Sequence, residues 1–261
     1  MYKKINLIHI SLLAGLWVAC TDAGTGVEPD LEFLKAQTAD AAMSCQFVRH
    51  SKDASHQSDA AWFLFRSSDR VESFDEGSQQ SQIWEKDQNG RVSEMRVFHA
   101  EKLVLEVSNG DLLASGHLPK WATLWSIVDP EDLSKSFKPI GGRTVKGVSV
   151  DRLQGLVEGV ETTVEWLKPQ ALPILWKRTS EKGVDEVRLV RCSAPGTGPV
   201  QPTSQQQLLD YRHIDFSDLG DMESDPQVQR IGKLLGHGHD HEEDEHHSSG
   251  NPPLKASSIS H

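Results

Sequence analysis

The chain has 261 residues and a formal net charge of −11. An acidic chain with no basic patch is a poor fit to nucleic acid, whose phosphates are held by Lys and Arg. The length allows one domain of roughly 150–180 residues plus a tail, and seven Trp and eight Phe can fill a core or line a groove.

At the N-terminus, Met1-Tyr2-Lys3-Lys4 is basic, Leu12 to Ala19 is apolar, and small residues precede Cys20. This is the plan of a secretory signal peptide. With a cysteine at the cut, the segment resembles a bacterial lipoprotein signal. That resemblance implies that residues 1–19 are removed and that Cys20 becomes the lipidated (palmitate-bearing) first residue. An ordinary cleaved signal peptide is the alternative, because Trp17 stands in the usual leucine place and Asn6 and His9 interrupt the apolar stretch. The stretch 5–19 is shorter than the roughly 20 apolar residues of a spanning helix. Thr21 rather than aspartate follows the cysteine. Under the sorting rule of such lipoproteins this implies anchoring at the periplasmic face of the outer membrane, where several acyl chains hold better than one.

Lipidation of Cys20 leaves Cys45 and Cys192. An even count in an oxidising compartment suggests one disulfide, expected to tie the first helix to the last strand; two buried thiols are the alternative. Residues 20–29 read as a tether. Pro29 and Asp30 then open an expected helix whose weak apolar face, Leu31, Leu34, Ala41 and Ala42, runs up to Cys45. From Ala60 to Val107 the pattern is β. Asn89-Gly90 is a hairpin signal, because both central residues need positive φ, and Asn109-Gly110 is expected to end the next strand in the same way.

Between Leu118 and Phe137 the strands stop. Trp121, Leu124, Trp125 and Val128 recur at helical spacing, and Asp129-Pro130-Glu131-Asp132 starts a second short helix. Trp121 and Trp125, one turn apart, are candidates to line a ligand groove, with core packing as the alternative. Strands return from Arg143 to Arg191. About eight strands joined mostly by short turns predict antiparallel neighbours. The fold class is therefore α+β and β-rich: a curved antiparallel sheet, or half-barrel, with a few packing helices over residues 30–192. Meander strands, a helical insertion, then Gly147-Val148 through Glu165-Trp166 to Leu172-Pro173-Ile174 resemble the half-barrel of LolA-type lipoprotein carriers and their sigma-regulator and mycobacterial lipoprotein relatives. The resemblance implies one sheet wrapped around helices and enclosing an apolar groove; it carries over no functional residue.

Residues 193–236 read as a linker (Ser193 to Pro199), an acidic segment and a short amphipathic helix. Asp225-Pro226 caps that helix, Val228, Ile231, Leu234 and Leu235 lie on or near one face, and Gly236 stops it. About ten residues are marginal as an isolated helix, so docking on the sheet or on a partner is expected. Asp215, Asp218, Asp221, Glu223 and Asp225 miss the calcium-loop pattern, since Pro226 stands where a turn glycine is needed. Residues 237–261 form a polar tail expected to be disordered. Its His237, His239, His241, His246 and His247 lie among carboxylates, ligands suited to Zn, Ni or Cu. Incidental metal affinity of an acidic tail is the alternative, and the spacing is not that of a zinc protease. No catalytic motif appears. The expected function is a non-enzymatic binding or accessory role with no required cofactor: an anchored lipoprotein that binds an apolar ligand or a periplasmic partner, and whose tail has divalent-metal affinity. The alternative is a metal-handling accessory protein, a Zn, Ni or Cu buffer or sensor, for a transporter.

Overall fold

The computed structural model describes residues 28–53 and 56–234. The signal segment, Cys20 and the five tail histidines lie outside the described residues. Twelve strands form one sheet. They are β1 (Met43–Asp53), β2 (Gln57–Ser67), β3 (Arg70–Asp75), β4 (Gln80–Lys86), β5 (Val92–Phe98) and β6 (Leu103–Val107). After the helical insertion come β7 (Phe137–Val145), β8 (Val148–Val157), β9 (Val160–Leu167), β10 (Leu172–Ser180), β11 (Gly183–Ser193) and β12 (Arg212–Asp215). The helices are α1 (Asn109–Ala114), α2 (Trp121–Ser126), α3 (Pro130–Ser136), α4 (Gln205–Leu209) and α5 (Pro226–Leu234).

The strand order is β12-β6-β5-β4-β3-β2-β1-β11-β10-β9-β8-β7. Two antiparallel meanders, β1–β6 and β7–β11, therefore meet at one seam between β1 and β11. The β-rich α+β class is as expected. The sheet does not stop at Cys192: β12 adds to it in parallel beside β6.

The expected helix up to Cys45 does not form. A single 3-10 turn, Phe33–Ala36, stands there, and Cys45 lies in β1. The apolar residues of that stretch are used as plugs instead: Leu31 and Leu34 have no exposed surface and pack against the sheet. Asn89-Gly90 makes the expected turn, with Gly90 at φ +79°. Asn109-Gly110 does not. Ser108 caps α1, accepting from the Asp111 amide while the Asp111 carboxylate accepts from the Ser108 amide, so the reciprocal cap outweighs the turn dipeptide. Gly183 turns β10 into β11, where a Cβ would stand 2.1 Å from the Lys52 carbonyl oxygen.

Side chains on one face, called inner here, include Cys45, Phe47, Leu64, Val71, Phe98, Leu103 and Leu105, all buried beneath the helices. Val228 and Ile231 of α5 join this layer, so the amphipathic helix docks on the sheet as expected. Burial of the two contributes about 1.5–3 kcal/mol each. The outer face carries Phe63, Phe65, Ile83, Val97 and Val104, and Leu208 of α4 packs on part of it.

Cys45 and Cys192 are bonded across the seam, directly opposite in register with Cα atoms 4.1 Å apart. The bond joins two strands, not a helix and a strand. It closes a loop 147 residues long, for which the chain-entropy model gives about 5 kcal/mol, less any strain. Reduction, or the pair Cys45→Ser and Cys192→Ser, is expected to lower stability by up to that amount and to raise the urea m-value, because the unfolded chain expands. Urea midpoints that coincide with and without dithiothreitol would count against it.

Candidate functional site

Two apolar clusters meet α2. One draws on β1–β3 and β7–β11, and the other on β4–β6, β12, α1 and α5. Helix α2 bridges them: Trp121 and Leu124 pack against both clusters, and Trp125 packs against the first. The two predicted groove tryptophans are thus brought together as a plug over the sheet.

Three polar contacts hold the plug. Arg66, at the end of β2, is 2% exposed and points inward from the same face as Leu64. Its Nη1 donates to the Trp125 carbonyl at 3.0 Å, and its Nη2 donates to the Gln170 carbonyl at 2.8 Å. Its guanidinium carbon lies 4.8 Å from the Trp125 ring centre. The Trp125 Nε1 donates to the Ala39 carbonyl at 2.6 Å, and the Lys86 ammonium stands 4.6 Å over the Trp121 ring. No carboxylate faces Arg66 among the described ion pairs, and burial pushes its guanidinium down to about 10, so it stays charged at neutral pH. Arg66 Nε and Gln170 Oε1 are buried without a hydrogen-bond partner among the described residues. The chain leaves α2 through Ile127 at φ +68° and ψ −38°, a positive-φ conformation that a β-branched residue adopts only under strain.

A second polar cluster lies on the outer face. Glu72 is 1% exposed and accepts from Ser81 Oγ at 2.8 Å, Thr203 N at 3.0 Å, Thr203 Oγ1 at 2.5 Å and Arg70 Nη2 at 3.1 Å. His99 Nε2 lies 3.0 Å from Ser81 Oγ, and its Nδ1 lies 3.1 Å from Tyr211 Oη. A serine, a histidine and a carboxylate here do not form a nucleophilic set. The acid accepts the serine's only proton, which leaves the imidazole to donate from Nε2 rather than to act as base. Ser81 is also buried beneath Thr203. The network clamps the segment after Cys192 onto the sheet.

His213, on β12, closes the same segment. Its nitrogens face the Leu208 carbonyl at 2.8 Å and the Glu106 carboxylate at 2.5 Å, both acceptors, so only the imidazolium satisfies both. These bonds raise its pKa, the Leu208 carbonyl contributing most. Desolvation lowers that of His99, with Glu72 opposing.

The third feature is a rim cavity of about 840 Å³ where β3 begins, β4 ends, β5 begins and α1 starts. Arg70, Lys86 and Arg91 line it together with Asp69, Glu85 and Asp87, and Val92 is an apolar lining residue shared with the second cluster. Arg91 pairs with Asp87 at 2.7 Å, and Arg70 lies 3.9 Å from Glu85. Lys86 makes no ion pair among the described residues; its partner is the Trp121 ring. Sequence reading found the tryptophan pair of the first feature but missed the arginine beneath it, the outer-face network and the rim cavity. The one available signal for Arg66 was a cation ending the apolar run Ala61 to Phe65 in phase with Leu64.

No group of His, Cys, Asp and Glu suited to a metal occurs among the described residues. Asp225 pairs with Arg212 at 2.7 Å and caps α5, a structural use of the acidic segment. No helix among the described residues is long and apolar enough to cross a membrane.

No protein-family model matches the sequence, and no curated protein matches it. Similar solved structures include PNGF-II, at 14% identity and a TM-score of 0.40 over 70% of this chain and 34% of that one. Another is the MucA/MucB complex of Pseudomonas aeruginosa, at 14% identity and 0.36 over 64% and 54%. A LolA superfamily protein from Nitrosomonas europaea gives 8% identity and 0.29 over 66% and 96%. The chain spans about a third of the PNGF-II chain and about half of the MucA/MucB chain it matches.

Thr203→Val is expected to cost about 1–3 kcal/mol, because Glu72 stays buried with one donor fewer; an unchanged urea midpoint would show the clamp to be idle. The two histidines give opposite pH dependences. With its pKa raised, His213 contributes stability that is full below the ordinary value of 6.5 and is lost as pH rises through its folded value. Neutral His99 contributes stability that is full above 6.5 and is lost as pH falls through its lowered value. Melting curves at pH 5.5 and pH 8 should therefore show His213→Gln harming the protein more in acid and His99→Gln harming it more in base.

Proposed function

We propose that this chain is an exported, lipid-anchored binding protein of the outer membrane's periplasmic face and not an enzyme. Its inner sheet face takes up an apolar ligand, a lipid or an apolar segment of a partner protein, when α2 lifts. The observation that carries this reading is the seating of α2. The helix covers two apolar clusters with three bulky side chains, and its main polar latch is an arginine bonded to carbonyls rather than to a carboxylate. Neutral acceptors hold a buried guanidinium less firmly than a carboxylate does. The surface under the plug is a ready apolar site once the plug moves, and Ile127 supplies a strained joint at its end. The outer-face network offers no accessible nucleophile, which supports a binding role.

The test is a titration of the full chain with a dansylated fatty acid. Saturable binding that quenches tryptophan by transfer to the dansyl group is expected. Arg66→Met should melt lower and bind about tenfold tighter, since loss of the latch raises the fraction of open protein. Absence of saturable binding would overturn the reading, as would equal affinity of the two proteins.

The tail favours a second, separable role. Five histidines among carboxylates support divalent-metal affinity and an accessory function in Zn, Ni or Cu handling. Removal of residues 236–261 is expected to abolish zinc binding in equilibrium dialysis and to leave fatty-acid binding intact. Cys20 as the acylated residue is tested by radiolabelled palmitate, which Cys20→Ser should fail to incorporate.

A further inference from the structure

We propose that the rim cavity seats a zwitterionic headgroup, a phosphate bearing an amine, on an amphiphile whose acyl chains replace α2 against the inner face. This rests on the apolar-ligand reading above and names the ligand class. Three observations converge on it. The lining is balanced, with cations and carboxylates interleaved, so a purely anionic group meets Asp69, Glu85 and Asp87, and a purely cationic one meets Lys86 and Arg91. A group carrying both signs meets neither penalty. At about 840 Å³ the cavity lies within the range of small-ligand sites.

The second observation is Lys86. Its ammonium lines the cavity, forms no ion pair among the described residues, and rests on the ring of Trp121. When α2 lifts, that ring leaves and the ammonium loses the one partner it has among the described residues. A phosphate arriving with the ligand replaces the ring at the moment the acyl chains replace the plug. Headgroup binding and opening thereby favour one another. The third observation is continuity. Val92 both lines the cavity and belongs to the apolar cluster under α2, so an amphiphile with its polar end in the cavity has its apolar end directed to the inner face.

The experiment titrates the full chain, followed by tryptophan fluorescence, with three probes. They are monomeric dihexanoylphosphatidylethanolamine, dihexanoylphosphatidylglycerol, which lacks the amine, and free phosphoethanolamine. The ethanolamine lipid is expected to bind about tenfold tighter than the glycerol lipid, the worth of one charge-assisted hydrogen bond. Lys86→Gln removes the phosphate contact and also one tie of the closed plug, so it should weaken both lipids by several-fold, less than the roughly tenfold worth of the contact alone. Glu85→Gln, at a half-exposed position, should erase the preference between them while keeping the fold. Equal binding of the two lipids that ignores both substitutions would overturn the headgroup site and leave the apolar reading standing. Binding of free phosphoethanolamine alone, dependent on Lys86, would keep the site and remove the acyl chains from it, so the amphiphile would be overturned. Binding of none of the three would overturn the proposal outright.

Discussion

The structure depends on the pairing of β1 with β11. Each of the two meanders is local in sequence, and each leaves an open edge. Only the seam makes them one sheet, and it must bring together residues 147 apart. Closing so long a loop carries a large entropic cost before any contact rewards it. The Cys45–Cys192 bond removes much of that cost from the unfolded side. Its position at the seam explains why one disulfide serves a sheet of this size. Leu31 and Leu34 from the N-terminal side and Gln170 from the 3-10 turn after β9 then lock over the joined strands, where Gln170 Nε2 donates to the Leu34 and Gln37 carbonyls.

The two faces hold their covers in different ways. On the outer face, Glu72 collects donors from two strands and from the segment beyond Cys192, and every oxygen of the carboxylate is used. That attachment is firm, since loss of the Thr203 hydroxyl takes a donor from a buried charge. On the inner face the cover is apolar and its polar ties are few. The proposed uptake of an apolar ligand rests on this difference: α2 lies over the surface that such a ligand would occupy, and its bonds to Arg66 can be exchanged for water without leaving an unpaired carboxylate behind.

Much of the fold was legible in the sequence. The buried run Ala61 to Phe65, the Asn89-Gly90 turn, the Asp129-Pro130 helix start and the Asp225-Pro226 cap are local signals, and local contacts honour them. The misses are where tertiary pairing overrides or disguises local pattern. The second half of β1, from Arg49 to Asp53, is polar and is held as a strand by partners on both sides. Strand β7 begins at Phe137, ahead of the strands expected from Arg143, and carries Pro139 and Gly141-Gly142, which weaken a strand pattern. Asn109-Gly110 is a hairpin dipeptide until Asp111 is seen to complete a cap with Ser108. The tryptophan pair was legible as a candidate. The arginine beneath it, the clamp on Glu72 and the rim cavity were not, because each is assembled from residues far apart in the chain.

The sheet ends differ from its middle. At one end β7 is exposed along almost its whole length, yet it is interrupted by a proline and an irregularity between Pro139 and Gly141, and it carries Lys138 and Arg143. At the other end β12 offers only four residues. Both are poor templates for a further strand. Copies of the protein brought side by side at high concentration therefore have no continuous backbone ladder by which to polymerise, and a sheet twelve strands wide is kept from growing into a fibre.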